Sequence, residues 1–127
     1  MEQQAKVAVD TNMLFTQEQF KVRIVEEIQW LLHNAKIFVP LQVLEELEKL
    51  EGTSKKLEKE ARIAKQVLKE EKIGKIKVFA ENADKALLLL SRKGFIIATN
   101  DKALRKKIKE SKGKCITLRK KKYLVLE

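Results

Sequence analysis

Short apolar runs alternate with amphipathic stretches along this chain. Lys6-Val7-Ala8-Val9 reads as a short buried strand that stops at Asp10. Thr16, with Gln19 three residues later, has a capping-box pattern and predicts a helix running to about His33. Its apolar residues Phe20, Ile24, Ile28, Leu31 and Leu32 recur at spacings of three and four. Ile37-Phe38-Val39 predicts a second strand, and Pro40 suits the first turn of a helix over about Leu41 to Leu50. Gly52-Thr53-Ser54 breaks the pattern, and Leu57, Ala61, Ala64 and Leu68 then share one face of another helix. A Gly74 turn and a short strand fall within Ile73 to Phe79. Asn82 can cap a helix through about Arg92 that Gly94 ends. Phe95-Ile96-Ile97-Ala98 is the clearest buried strand, followed by a helix over Asp101 to Ser111. Cys115-Ile116-Thr117-Leu118 and Tyr123-Leu124-Val125-Leu126 are two late strands around the basic run Arg119 to Lys122.

Strands that alternate with helices predict an α/β fold with a mostly parallel central sheet and helices on both faces. No repeat and no low-complexity linker interrupts the pattern, so residues 1–127 read as a single domain. In such sheets ligands bind beyond the carboxyl ends of the strands. Asp10 and Asp101 both lie just past predicted strand ends.

Composition narrows the picture. No apolar run reaches the roughly 20 residues that span a bilayer, and Met1 to Lys6 lack the apolar core of a signal peptide. A soluble, cytoplasmic protein without membrane contact is expected. Cys115 is the only cysteine, excludes an internal disulfide, and reads as a small buried apolar residue. Net charge is +10. Between Lys102 and Lys122 eleven basic residues face Glu110 alone, while the remainder has seventeen residues of each sign. All of the excess charge therefore sits in the C-terminal stretch. A Lys-rich run is often just a solvated surface, but this one directly follows a candidate active-site carboxylate. Nucleic acid is the favoured polyanion.

The helix carboxylates can be sorted by periodicity. Val43, Leu44, Leu47 and Leu50 define the inward face of the helix after Pro40. At about 100° per residue Glu46 falls roughly 40° from Leu50 and 60° from Val43, at the edge of that face. Asp84 shares a face with Leu87 and Leu88. Each acid has a plainer reading. Asp10 suits a turn or cap, Asp84 and Asp101 suit helix first turns, and Glu46 suits a solvated surface. Taken together they predict four acids converging at the carboxyl edge of one sheet, where their hard oxygens would suit Mg²⁺ or Mn²⁺. Competing chemistry is thin. His33 is the only histidine, no Cys/His zinc spacing exists, and no Gly-rich phosphate loop exists.

The ordered segments Val7-Ala8-Val9-Asp10-Thr11-Asn12, Val39-Pro40-Leu41-Gln42-Val43-Leu44-Glu45-Glu46-Leu47, Ala83-Asp84 and Ile97-Ala98-Thr99-Asn100-Asp101 resemble the motifs of a PIN domain. The resemblance covers nearly the whole chain. It implies a three-layer α/β/α nuclease fold with Asp10, Glu46, Asp84 and Asp101 as catalytic metal-binding carboxylates. Asn12 and Thr99 match positions that support the site. A further acid that the family often carries two residues after the last Asp is Ala103 here, which leaves four acids rather than five. The basic C-terminal part is similar to the archaeal single-domain branch and to PIN endonucleases that process small-subunit ribosomal RNA.

The expected activity is divalent-metal-dependent hydrolysis of RNA phosphodiesters, with Arg105, Lys106, Arg119, Lys120 and Lys121 gripping the phosphate backbone. Two alternatives stand beside it. One is a toxin-type ribonuclease neutralised by a small antitoxin. The other is a non-catalytic RNA-binding module with ribosome-assembly partners. A homodimer is expected by resemblance alone. Trp30, Phe20 and Phe38 read as core, which leaves Tyr123 as the one candidate for base stacking.

Overall fold

The computed structural model describes residues 4–127; Met1 to Gln3, part of the polar N-terminal segment, lie outside them. Six strands form one sheet: β1 (Lys6–Val9), β2 (Lys36–Pro40), β3 (Gly74–Ile76), β4 (Ile96–Ala98), β5 (Cys115–Arg119) and β6 (Tyr123–Leu126). Their order is β3-β2-β1-β4-β5-β6. The first five are parallel, and β6 runs antiparallel to β5. Six helices connect them: α1 (Thr11–Phe20), α2 (Ile24–Leu31), α3 (Leu41–Glu51), α4 (Lys55–Glu70), α5 (Ala83–Arg92) and α6 (Lys102–Glu110). No helix among the described residues is long and apolar enough to cross a membrane.

Strand alternation divides the core in two. Val7 and Val9 of β1, Ile37 and Val39 of β2 and Ile116 of β5 face a cluster with the apolar residues of α1 to α4. Ala8, Ile97 and Cys115 face the other way, onto Leu87 and Leu90 of α5 and Leu104 and Ile108 of α6. The result is the three-layer α/β/α arrangement, because each strand residue points opposite to its neighbour. Both edges of the sheet are blunted. β3 is three residues long, and the outward N–H of Leu124 in β6 donates to Glu27 Oε1 of α2 at 3.0 Å.

The region predicted as one helix from Thr16 to His33 is two helices. The first begins five residues earlier, at Thr11, because Asp10 accepts from Thr11 N and acts as its N-cap. Thr16 is therefore mid-helix, and its hydroxyl donates to Asn12 O at 3.2 Å. The break falls at Lys21, which has a left-handed backbone (φ 55°), and buried Val22 turns the chain into the core. Trp30 is 87% exposed rather than core, since Ile24 and Ile28 already fill the inward face of α2. Gly74, read as a turn, instead opens β3 against the ring of Phe38.

Tight packing recurs where α6 returns to β5. A Cβ at Gly113 would collide with Ser91 Oγ and stand 2.7 Å from Ile108 Cγ2. Gly113→Ala is therefore expected to lower stability by about 1–3 kcal/mol, the usual cost of overpacking. Gly52→Ala, where the nearest atom is Lys49 O at 3.9 Å, is expected to change it by under about 0.5 kcal/mol. Urea unfolding of both variants checks this; equal midpoints would mean that the α5–α6 contact yields without cost.

Candidate active site

Sheet order reverses direction between β1 and β4, which opens a crevice at their carboxyl ends. Asp10 stands at that point. Its backbone N–H donates to Ala98 O of β4 at 3.0 Å, and Thr99 follows β4 directly. The Asp10 carboxylate is buried and is held by three donors. Thr11 N reaches Oδ1 at 2.7 Å, and Thr99 Oγ1 and Asn12 Nδ2 reach Oδ2 at 2.7 and 3.3 Å. All three donors are uncharged.

The hydrogen bonds run on from Asp10 in two directions. Thr11 Oγ1 donates to Glu46 Oε2 at 2.9 Å, which ties α3 to the end of β1. Thr99 Oγ1, while donating to Asp10, accepts from Asp101 N at 3.1 Å. Asn12 Oδ1 accepts from Asn100 N, Asn100 Nδ2 donates to Thr16 Oγ1, and Asn100 Oδ1 accepts from Leu118 N. Thr11 and Asn100 were not singled out in the sequence. Their signal was only their place inside Asp10-Thr11-Asn12 and Thr99-Asn100-Asp101.

The four acids are placed unequally. Asp10 is buried, Asp101 half-buried, and Glu46 and Asp84 exposed. Glu46 and Asp84 share a groove with Gln42, Lys49 and Glu81. Asp101 caps α6 by accepting from Leu104 N at 3.1 Å, so one of its oxygens has a local partner. Burial pushes the Asp10 carboxyl up from 3.8 to about 6. The bonds from Thr99 and Thr11 hold it down in part, and the negative charges of Asp84 and Glu46 raise it further.

A divalent cation fits this donor set in kind. Every donor is a carboxylate oxygen, and among the described residues none of the four acids forms an ion pair, although the chain has 28 Lys and Arg. Among the described residues no three acid, His or Cys side chains already stand together at ligand spacing. Glu46 is turned to Thr11 and Asp101 to the start of α6.

Some of the basic residues singled out in the sequence are engaged within the fold. Glu127 Oε1 accepts from Arg119 at 3.2 Å, and its Oε2 meets Lys109 at 2.9 Å and Arg105 at 3.8 Å. The bond from Lys109 and the three positive charges hold the Glu127 carboxyl below its usual range, against the opposing effect of burial. Lys106, Lys120 and Lys121 are exposed. Lys120 and Lys121 form the β5–β6 turn with left-handed backbones (φ 55° and 56°), closed by Lys122 N donating to Arg119 O. Since β5 is parallel to β4, this turn stands on the same sheet edge as Asp10.

The family model described as "PIN like domain" matches residues 7–121. Among curated proteins nothing matches. Seventeen chains of solved structures match. One of them, the structure of the PIN domain endonuclease Utp24, is 25% identical, with a TM-score of 0.79 over 96% of this chain and 90% of that one.

The raised carboxyl of Asp10 gives a pH prediction. The folded state holds this proton more tightly than the unfolded chain between pH 3.8 and about 6. Stability is therefore lost as pH rises through that window, by about 3 kcal/mol, and stays lost above it. Asp10→Asn removes the titration. In EDTA the variant is expected to match the wild type near pH 4 and to exceed it by up to about 3 kcal/mol at pH 7.5. Urea unfolding at both pH values checks this; a pH-independent difference would contradict it.

Proposed function

The chain belongs to the PIN-like domain family, and on that premise we propose that it is a divalent-metal-dependent endoribonuclease. One observation carries this reading beyond membership. In a chain with net charge +10, the acids at the carboxyl edge have no cationic partner among the described residues, and the most buried of them accepts there from uncharged donors alone. Such an arrangement is costly unless a cation is part of the working site.

Asp10, Glu46, Asp84 and Asp101 would hold Mg²⁺ or Mn²⁺. When bound, such an ion supplies Lewis-acid polarisation of a phosphate oxygen and acidifies water for in-line displacement. The chain's own residues do the positioning. Thr99 and Asn12 fix the Oδ2 side of Asp10, and Thr11 N fixes Oδ1. The Thr11 hydroxyl fixes Glu46 relative to Asp10 across two elements. Without these donors the buried carboxylate would rotate, and metal affinity would fall, as happens when the partners of a metal ligand are removed.

Lys106, Lys120 and Lys121 are the exposed cations proposed to grip phosphates, which positions substrate without reading sequence. Arg105 and Arg119 join them by exchanging the Glu127 carboxylate for a phosphate. Binding is then salt-dependent. Small-subunit ribosomal RNA precursors are the first substrates to try, given the resemblance of the C-terminal part.

Cleavage of a labelled single-stranded RNA is expected with Mn²⁺ or Mg²⁺ and to stop in EDTA. Asp10→Asn is expected to lower the rate by about 100-fold or more, and Thr99→Val by about 10- to 100-fold. Mn²⁺ is expected to raise the Tm of the wild type and not of Asp10→Asn. Cleavage that survives EDTA or Asp10→Asn would overturn the mechanism. Salt-sensitive binding with no cleavage under either metal would instead make the chain an RNA-binding module.

A further inference from the structure

The carboxyl edge of the sheet has two ends. At the β5 end stands the Lys120–Lys121 turn. At the other end β3, parallel to β2, delivers residues 77–81 to the same edge. Four strand spacings separate β3 from β5, about 19 Å in all, and the acids lie between them. A polynucleotide laid along this edge would pass from the lysine turn, across the acids, to the segment after β3.

That segment carries Phe79, 89% exposed and the most exposed large apolar side chain among the described residues. Singly exposed apolar residues are ordinary and need no explanation. Three observations set Phe79 apart. Its backbone is pinned on both sides, since Gln42 Nε2 donates to Val78 O at 2.7 Å and to Ala80 O at 3.0 Å. Gln42 itself lines the groove shared by Glu46 and Asp84, so the backbone that carries Phe79 is held beside the acids. The Lys77 ammonium lies 5.6 Å from the ring centroid, which places a cation beside the aromatic face. Trp30, the other strongly exposed aromatic, has none of this. It sits at the end of α2, which leads into the amino end of β2 on the opposite edge.

We propose that Phe79 is a stacking platform for one unpaired base of the RNA strand being cut, with Lys77 binding the adjoining phosphate. A phenylalanine on a pinned backbone has only two side-chain torsions to order on stacking, and any base presents a π-face to it. The substrate must then be single-stranded where it crosses the edge, because a base within a duplex is already stacked. This inference rests on the nuclease reading above and adds to it the side chain that engages a base.

Two experiments separate the claims. In cleavage assays Phe79→Ala is expected to raise KM for single-stranded RNA by about 5- to 100-fold, with little change in kcat, and Phe79→Tyr to restore it. A duplex of the same sequence is expected to be a poor substrate for both proteins. Binding is read apart from cleavage in an Asp10→Asn background carrying Trp30→Phe and Phe79→Trp, whose only indole is then at position 79. Single-stranded RNA is expected to quench that indole and duplex to leave it unchanged. Wild-type KM in Phe79→Ala, rescue by Phe79→Leu as complete as by Phe79→Tyr, or an unquenched indole in an RNA-bound protein would each overturn the stacking role and leave the nuclease reading standing. Loss of self-association in Phe79→Ala with unchanged RNA affinity would overturn it in favour of a protein contact. If no metal supports cleavage, the nuclease reading falls and the quenching titration still decides Phe79. No RNA binding at all would sink both.

Discussion

Burying the Asp10 carboxylate at the mouth of a parallel sheet constrains everything around it. A charge that has left water needs compensation, and here the nearest groups are two threonines and an asparagine. Those donors come from the start of α1 and the end of β4, so the bonds that satisfy Asp10 also lock the two strands on either side of the crevice. Asp10 N to Ala98 O and Asp101 N to Thr99 Oγ1 extend the lock to the start of α6. Positions of Glu46 and Asp101 follow from the same network, since Thr11 and Thr99 each serve two partners. The fold and the site are in this sense one hydrogen-bonded object.

Charge is distributed to match. Asp10 and Asp101 follow β1 and β4, and Glu46 and Asp84 sit on α3 and α5, while the excess of lysine and arginine follows Asp101. That basic stretch is not uniform. Glu127 neutralises part of it through Arg105, Lys109 and Arg119, while Lys120 and Lys121 stand in the β5–β6 turn and Lys112 and Lys114 precede β5 at the opposite edge of the sheet. Lys120 and Lys121 hold their place at some cost, because a left-handed backbone favours glycine or asparagine over lysine.

Local pattern in the sequence reached some features and not others. Val7-Ala8-Val9 before Asp10, and Ile97-Ala98 before Thr99, are apolar runs that stop at polar residues, so the parallel sheet and its carboxyl edge were readable. The α1–α2 break was hidden because no glycine or proline marks it and Phe20 and Ile24 keep helical spacing across Lys21. Trp30 was misplaced because aromatics are usually buried, yet it lies two residues beyond Ile28, about 200° round the helix and facing solvent. Glu46 was picked from its angle to Val43 and Leu50. Its carboxylate is exposed and meets Thr11, a partner 35 residues away that no local pattern encodes. The Glu127 cluster and the Gln42 grip on residues 78–80 were invisible for the same reason.

The blunted sheet edges have a consequence beyond the single chain. A sheet grows by offering rows of unpaired N–H and C=O groups to a neighbour, the route by which many α/β proteins aggregate or dimerise. Here one border is three residues long, and on the other Glu27 has taken the Leu124 N–H. Both margins therefore offer little backbone for extension. An assembly that uses side chains on helical faces or loops instead is one that single substitutions can dissolve or redirect without disturbing the sheet.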